Sequence, residues 1–193
     1  MFEQIFESVR QKSPLVHCIT NYVTVNDCAN MLLACGGSPI MADAVEITSI
    51  CGGLTINIGT LNQRTIPAML AAGKRANELG HPVVLDPVGA GASTLRTDTA
   101  LRLLKEVKFA VIRGNISEIK TLASGSGTTK GVDADVADRV TEDNLDGAVS
   151  FVKELARRIG AVIAVTGAID IVADEERAFC IRNGRPEMSS ITG

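Results

Sequence analysis

The 193 residues are 46% hydrophobic and 21% charged, with a formal net charge of −3, five Phe, one Tyr and no Trp. That length suits one α/β domain over residues 1–193 with a sizeable core, while the acidic balance and scarce aromatics exclude a nucleic-acid partner. No apolar run is long enough for a membrane span, and the N-terminal MFEQIFESVRQKSP is amphipathic without a signal peptide's apolar centre, so a cytoplasmic protein is expected.

The elements follow from periodicity. In chain order, strands are predicted over Leu15–Ile19, Ser38–Met41 and residues 54–58, 82–85, 109–112 and 161–166. A hairpin is predicted from residues 169–173 and 177–181 around Asp174, Glu175 and Glu176. Helices are predicted over 26–34, 61–79, 98–107 and 143–159. In the last of these, Leu145, Ala148, Val149, Val152, Leu155, Ala156 and Ile159 fall on one face. Strands apolar on consecutive positions and separated by helices predict a mostly parallel sheet with helices on both faces. Such sheets bind ligands beyond the carboxyl ends of their strands, so the residues that follow each strand are the functional candidates. The polar stretch at 124–138 is the one long polar loop, and reads either as a mobile segment or as one that covers a ligand.

Cys18, Cys28, Cys35, Cys51 and Cys180 are odd in number and lack C-x-x-C spacing, so free, mostly buried thiols are expected rather than a metal or disulfide framework. His17, inside an apolar run, reads as a hydrogen-bonded core residue more readily than as a base. Asn21, past the first strand, either binds a small polar ligand or, with Thr24, caps the next helix. Met41 fills core space or walls a heterocycle. Asp86, before the turn Pro87-Val88-Gly89-Ala90-Gly91, suits Mg²⁺ or phosphate, or begins a simple Asp-Pro turn. Asn115 and Glu118 have capping-box spacing, which a helix start alone explains. Arg113, expected at a strand end beside a helix N-terminus, is placed for nucleotide phosphates. Thr166-Gly167 contacts phosphate or turns the chain.

Taken as an ordered set, SPLVHCITNYVTVNDCAN, GGSPIMADA, INIGTLN, VVLDPVGAGAS, VIRGNISEI, AVTGAIDIV and SSITG closely resemble the hydroxyethylthiazole kinase family of thiamine salvage. The resemblance covers nearly the whole chain. It implies a ribokinase-like three-layer α/β/α fold and Mg²⁺-dependent transfer of the ATP γ-phosphoryl group to 4-methyl-5-(2-hydroxyethyl)thiazole. By similarity, Met41 and Gly193, with Asn21 and Val23, contact the thiazole; Arg113 and Thr166 bind ATP; Asp86 and Glu118 hold Mg²⁺. A homotrimer with the thiazole site between subunits is implied as well.

Two departures from the family pattern stand out. The segment between Met41 and Ile56 is a few residues short. The family also continues past the closing ITG into a Gly-x-Gly-Cys turn that forms an anion hole and carries the Cys beside the substrate alcohol. The chain is therefore expected to lack a C-terminal part, and no catalytic residue is assigned within it. Two other readings of the same pattern are an NAD(P)H-hydrate dehydratase of the superfamily and a fragment that binds thiazole or nucleotide without catalysis.

Overall fold

Leu54 and Ile56 of one strand, Leu85 of the next and Ile163 further along are at most 1% exposed, and their in-register pairing puts all four on one buried face of the sheet. The computed structural model from which this is read describes residues 2–125, 139–185 and 187. Among the described residues there are eight strands, β1 (Leu15–Ile19), β2 (Ser38–Met41), β3 (Gly53–Asn57), β4 (Val83–Asp86), β5 (Val111–Asn115), β6 (Val162–Thr166), β7 (Asp170–Ala173) and β8 (Ala178–Ile181). They form one sheet in the order β2-β1-β3-β4-β5-β6-β7-β8. β1 to β6 pair in parallel, and β7 and β8 close the series as antiparallel strands.

The helices are α1 (Phe2–Lys12), α2 (Val25–Cys35), α3 (Thr65–Glu78), α4 (Thr94–Glu106), α5 (Ile116–Gly125) and α6 (Leu145–Ile159). α3, α4 and α5 pack in series, whereas α1 packs on α2, which lies against β2. The chain runs one way from β1 to β2 and the other way from β3 to β6. Right-handed crossovers therefore put α2 and α3 on opposite faces. The mostly parallel α/β sheet with helices on both faces matches the sequence expectation. Between β1 and β3 the order reverses, and a crevice opens at such a switch point.

Several boundaries moved for identifiable reasons. β5 was expected over 109–112 but runs from Val111 to Asn115, because β6 supplies partners for Arg113, Gly114 and Asn115 at Ala164, Val165 and Thr166. Arg113 therefore lies within a strand rather than after one. β4 likewise extends to Asp86, which pairs in register with Asn57. α4 begins four residues before the expected Asp98, since the Ser93 hydroxyl accepts from the Arg96 backbone N–H at 3.3 Å and caps the helix. α3 begins at Thr65 instead of 61, after the Asn62 side-chain Oδ1 accepts from the Arg64 and Thr65 backbone N–H groups. The amphipathic N-terminus is helical as α1, yet buries no residue. All five cysteines are free, but only Cys18 and Cys51 are fully buried; the other three are half-buried. The polar loop expected at 124–138 lies, from 126 on, outside the described residues, as does Gly193.

Candidate active site

The carboxyl ends of β1, β3, β4 and β5 bring four polar side chains into one line. Asn21, just past β1, donates from Nδ2 to Asn57 Oδ1 at 3.1 Å. Asn57, the last residue of β3, donates from Nδ2 to Asp86 Oδ2 at 2.8 Å. From β5, Arg113 Nη1 donates to the same oxygen at 3.3 Å. Asp86 Oδ1 is buried and has no partner. Burial pushes the Asp86 carboxyl above its ordinary value; Arg113 pulls it down and Glu118 pushes it further up.

Glu118 sits in the first turn of α5. Its Oε2 accepts from the Asn115 N–H at 2.8 Å, while Asn115 Oδ1 accepts from the Glu118 N–H at 2.9 Å, so the capping box read from the spacing is present. The other oxygen does something the spacing did not announce: it accepts from the Gly89 N–H at 2.8 Å and anchors the Gly-rich turn. Gly89 has φ +71°, and a Cβ there would run into the Arg96 guanidinium. Arg96 Nη2 in turn donates to the Gly59 carbonyl at 2.9 Å, joining the turn after β4 to the one after β3.

The remaining sequence candidates are distributed around this line. Thr166 ends β6 beside Asn115, and its hydroxyl donates to the Gly114 carbonyl at 3.4 Å. Asn21 Oδ1 accepts from the Val23 and Thr24 N–H groups, both at 3.0 Å, which forms an Asx turn ahead of α2 rather than a cap on it: Thr24, at the N-cap of that helix, makes no side-chain capping bond, so the capping expectation is not met. Val23 is 68% exposed and points away from the core. Met41, half-buried, ends the edge strand β2 at the level of Cys18, two strands from Asn57. Gly193 is not among the described residues.

His17 is fully buried. Its Nε2 donates to the Ala42 carbonyl at 2.9 Å, and its Nδ1 then accepts from the Thr48 hydroxyl at 2.9 Å, as a core residue's ring should. Burial pushes the Cys18 thiol up to about 11, which makes it inert as a nucleophile at neutral pH. Asn57 and Arg96 were not singled out from sequence. The available signals were a polar residue closing an apolar strand before Gly, and an Arg in the first turn of a helix that has no acid there.

A divalent cation fits this donor set. The bare, buried Asp86 Oδ1 supplies an anionic ligand, and the Glu118 oxygens keep lone pairs beyond their backbone bonds. No group of three or more His, Cys, Asp or Glu gathers among the described residues. A cation here would take most of its shell from phosphate and water, as Mg²⁺ does.

Residues 6–193 match the hydroxyethylthiazole kinase family. The chain is 66% identical to the hydroxyethylthiazole kinase of Clostridium acetobutylicum over 197 aligned residues, covering 100% of this chain and 72% of the relative. It is 56% identical to that of Desulfovibrio desulfuricans, covering 100% of this chain and 69% of the relative. The solved hydroxyethylthiazole kinase of Pyrococcus horikoshii OT3 superposes with a TM-score of 0.85 at 38% identity, over 97% of this chain and 68% of that one. The apo adenosine kinase of Trypanosoma brucei brucei superposes at a TM-score of 0.55 with 10% identity, covering 95% of this chain and 66% of that one. At that identity the likeness is one of fold, and it supports the ribokinase-like expectation. No described helix is long and apolar enough to cross a membrane.

Proposed function

The chain belongs to the hydroxyethylthiazole kinase family. On that premise we propose that it transfers the γ-phosphoryl group of ATP to the hydroxyl of 4-methyl-5-(2-hydroxyethyl)thiazole in a Mg²⁺-dependent reaction in the cytoplasm. The observation that carries the site assignment is the buried, unpartnered Asp86 Oδ1 next to the Arg113 guanidinium. An anion with an open position beside a cation is what a Mg²⁺–nucleotide needs.

Phosphoryl transfer depends on charge neutralisation and in-line positioning more than on covalent chemistry. Asp86 and Glu118 would hold Mg²⁺, which when bound neutralises charge on the phosphate oxygens. Arg113, half-exposed and held by one long ion pair, is free to turn its guanidinium to phosphate. Thr166, at the end of the adjacent strand, offers a hydroxyl to the nucleotide. Asn21 orders the Tyr22–Val23 segment that, with Met41 and Gly193, would form the thiazole side. The turn at Gly89 lets backbone approach the phosphates where a side chain would collide with Arg96.

A homotrimer with the thiazole site between subunits belongs to the same reading. Exposed Phe2, Ile5 and Phe6 on α1, and Val23, Met31 and Leu33 at α2, support an interface there. The test is an assay of the purified protein with saturating Mg·ATP against the thiazole alcohol and, separately, hydrated NADH. Phosphorylation of the alcohol is expected. Turnover of the hydrate alone would move the protein to the dehydratase branch, and nucleotide binding without any turnover would leave only a binding role.

A further inference from the structure

Asn57 is 7% exposed and all its bonds are internal. Its Nδ2 donates to Asp86 Oδ2 at 2.8 Å, and its Oδ1 accepts from Asn21 Nδ2 at 3.1 Å and from the Gly59 N–H at 2.9 Å. The side chain thus joins the carboxylate at the nucleotide side to the loop at the thiazole side. The kinase reading gives it no role.

Donor and acceptor counting fixes the direction of this chain of bonds. An ionised carboxylate only accepts, so Asn57 must turn its NH₂ to Asp86 and its oxygen to Asn21 and Gly59. Asn21 must then present its NH₂ to Asn57, leaving its oxygen for the Val23 and Thr24 N–H groups, where it is found at 3.0 Å. Flipping Asn57 would set oxygen against oxygen at Asp86 and NH₂ against the Gly59 N–H. Flipping Asn21 would set an NH₂ against two backbone N–H groups. One arrangement satisfies every group, and it is anchored by a carboxylate at one end and backbone at the other.

The same bonds settle which Asp86 oxygen is open. Both protein donors, Asn57 and Arg113, meet Oδ2, while Oδ1 is left bare. A terminal carboxylate torsion is broad, so without the Asn57 donor only the long bond from the half-exposed Arg113 would hold Oδ2 apart from Oδ1. We propose that Asn57 is a positioning residue for the phosphoryl transfer: it pins Asp86 by one oxygen, keeps the other open for the cation, and links that carboxylate through Asn21 to the thiazole-side loop. The proposal deepens the kinase reading and rests on it.

Three substitutions separate the halves of the link. Asn57→Asp keeps the acceptor for Asn21 and Gly59 but turns an oxygen on Asp86; Asn57→Ala removes both halves; Asn21→Ala removes only the thiazole half. Partners behind metal ligands typically carry about 10–100-fold in metal affinity or activity. For Asn57→Asp we expect kcat to fall, and the Mg²⁺ concentration that half-saturates ADP binding by calorimetry to rise, each by that factor, with the KM for the thiazole alcohol nearly unchanged. For Asn21→Ala that KM rises, and the double variant with Asn57→Ala falls short of the sum of the two single effects, because the Asn21–Asn57 bond is lost only once. Asn77, which bonds the Lys108 backbone away from the site, is the control: Asn77→Ala should lower Tm without moving the Mg²⁺ dependence. If Asn57→Asp melts below assay temperature, Asn57→Ser carries the same titration. Wild-type Mg²⁺ dependence and kcat in a folded Asn57 variant would overturn the proposal while leaving the kinase reading intact. Absence of Mg²⁺-dependent ADP binding in the wild type would overturn the site assignment itself, and the proposal with it.

Discussion

Arg113 Nη1 stands 3.3 Å from Asp86 Oδ2, bridging the ends of the adjacent strands β5 and β4 with half the arginine side chain in solvent. Asp86 itself is mostly buried, but a long contact to a half-solvated guanidinium contributes about 0–1 kcal/mol to stability, so its presence is poorly explained by folding. Arg113→Ala should therefore leave the melting curve nearly unmoved. Hydrogen bonds to charged groups are worth about 1.5–3 kcal/mol, so the KM for ATP should rise roughly tenfold or more. The KM for the thiazole alcohol should stay close to wild type. Equal increases in both constants would remove Arg113 from the phosphate site.

Asp86→Asn should trade function for stability. Burial raises the folded carboxyl above its unfolded value, so the stabilising, protonated form is fully present only below the unfolded value and is lost as pH rises through the folded one. At neutral pH the bare anion burdens the fold, and the isosteric amide does not carry that burden. The variant should melt at or above the wild-type temperature in chelator and lose most of its turnover. Denaturation scans paired with the kinase assay check both; a less stable variant with wild-type turnover would contradict both.

His17 predicts an acid-side slope. Burial holds its folded pKa below the ordinary 6.5, although the Ala42 hydrogen bond and Asp43 pull upward. The unfolded chain takes up a proton near 6.5 and the folded one does not, so the contribution is complete above that pH and declines as pH falls towards the lower folded value. Within that window each pH unit costs up to about 1.4 kcal/mol. Urea unfolding at pH 7.5 and 5.5 should show wild type losing more stability than His17→Gln. Parallel losses would show that other groups set the slope.

Gly73 in α3 faces Val107 so closely that a Cβ would stand 2.7 Å from Cγ2 and 2.8 Å from Cγ1. Gly→Ala in a helix interior ordinarily gains about 1 kcal/mol. Here overpacking costs about 1–3 kcal/mol, and α3 and α4 must part to relieve it. Gly73→Ala should be destabilised on balance, and Gly73→Ala with Val107→Ala should recover part of the loss. Chemical denaturation of the two variants decides the sign.

What was legible in the sequence follows from how local each cause was. Leu15–Ile19 and Ser38–Met41 were placed correctly because apolar runs stopped at polar or glycine residues. Arg113-Gly114-Asn115 carries no strand preference of its own and becomes strand through pairing with β6, which no window of β5 could reveal. The Asn115–Glu118 box was visible at a spacing of three. The Glu118 bond to Gly89 spans 29 residues and was not. Asn57 was passed over for the same reason: nothing near it in sequence says that its partners are Asn21 and Asp86. Candidate ligands could be named from strand ends, but their wiring required the sheet.

That wiring doubles as a proofreader of strand registry. The links Asn21–Asn57, Asn57–Asp86 and Asp86–Arg113 span 36, 29 and 27 residues, each joining neighbouring parallel strands. A one-residue slip of any strand would turn its terminal side chain to the opposite face and open the circuit. Parallel pairings of this separation form slowly because loop closure precedes their reward. Competence for ligand should therefore be the last property a refolding chain acquires, appearing only when four strands agree.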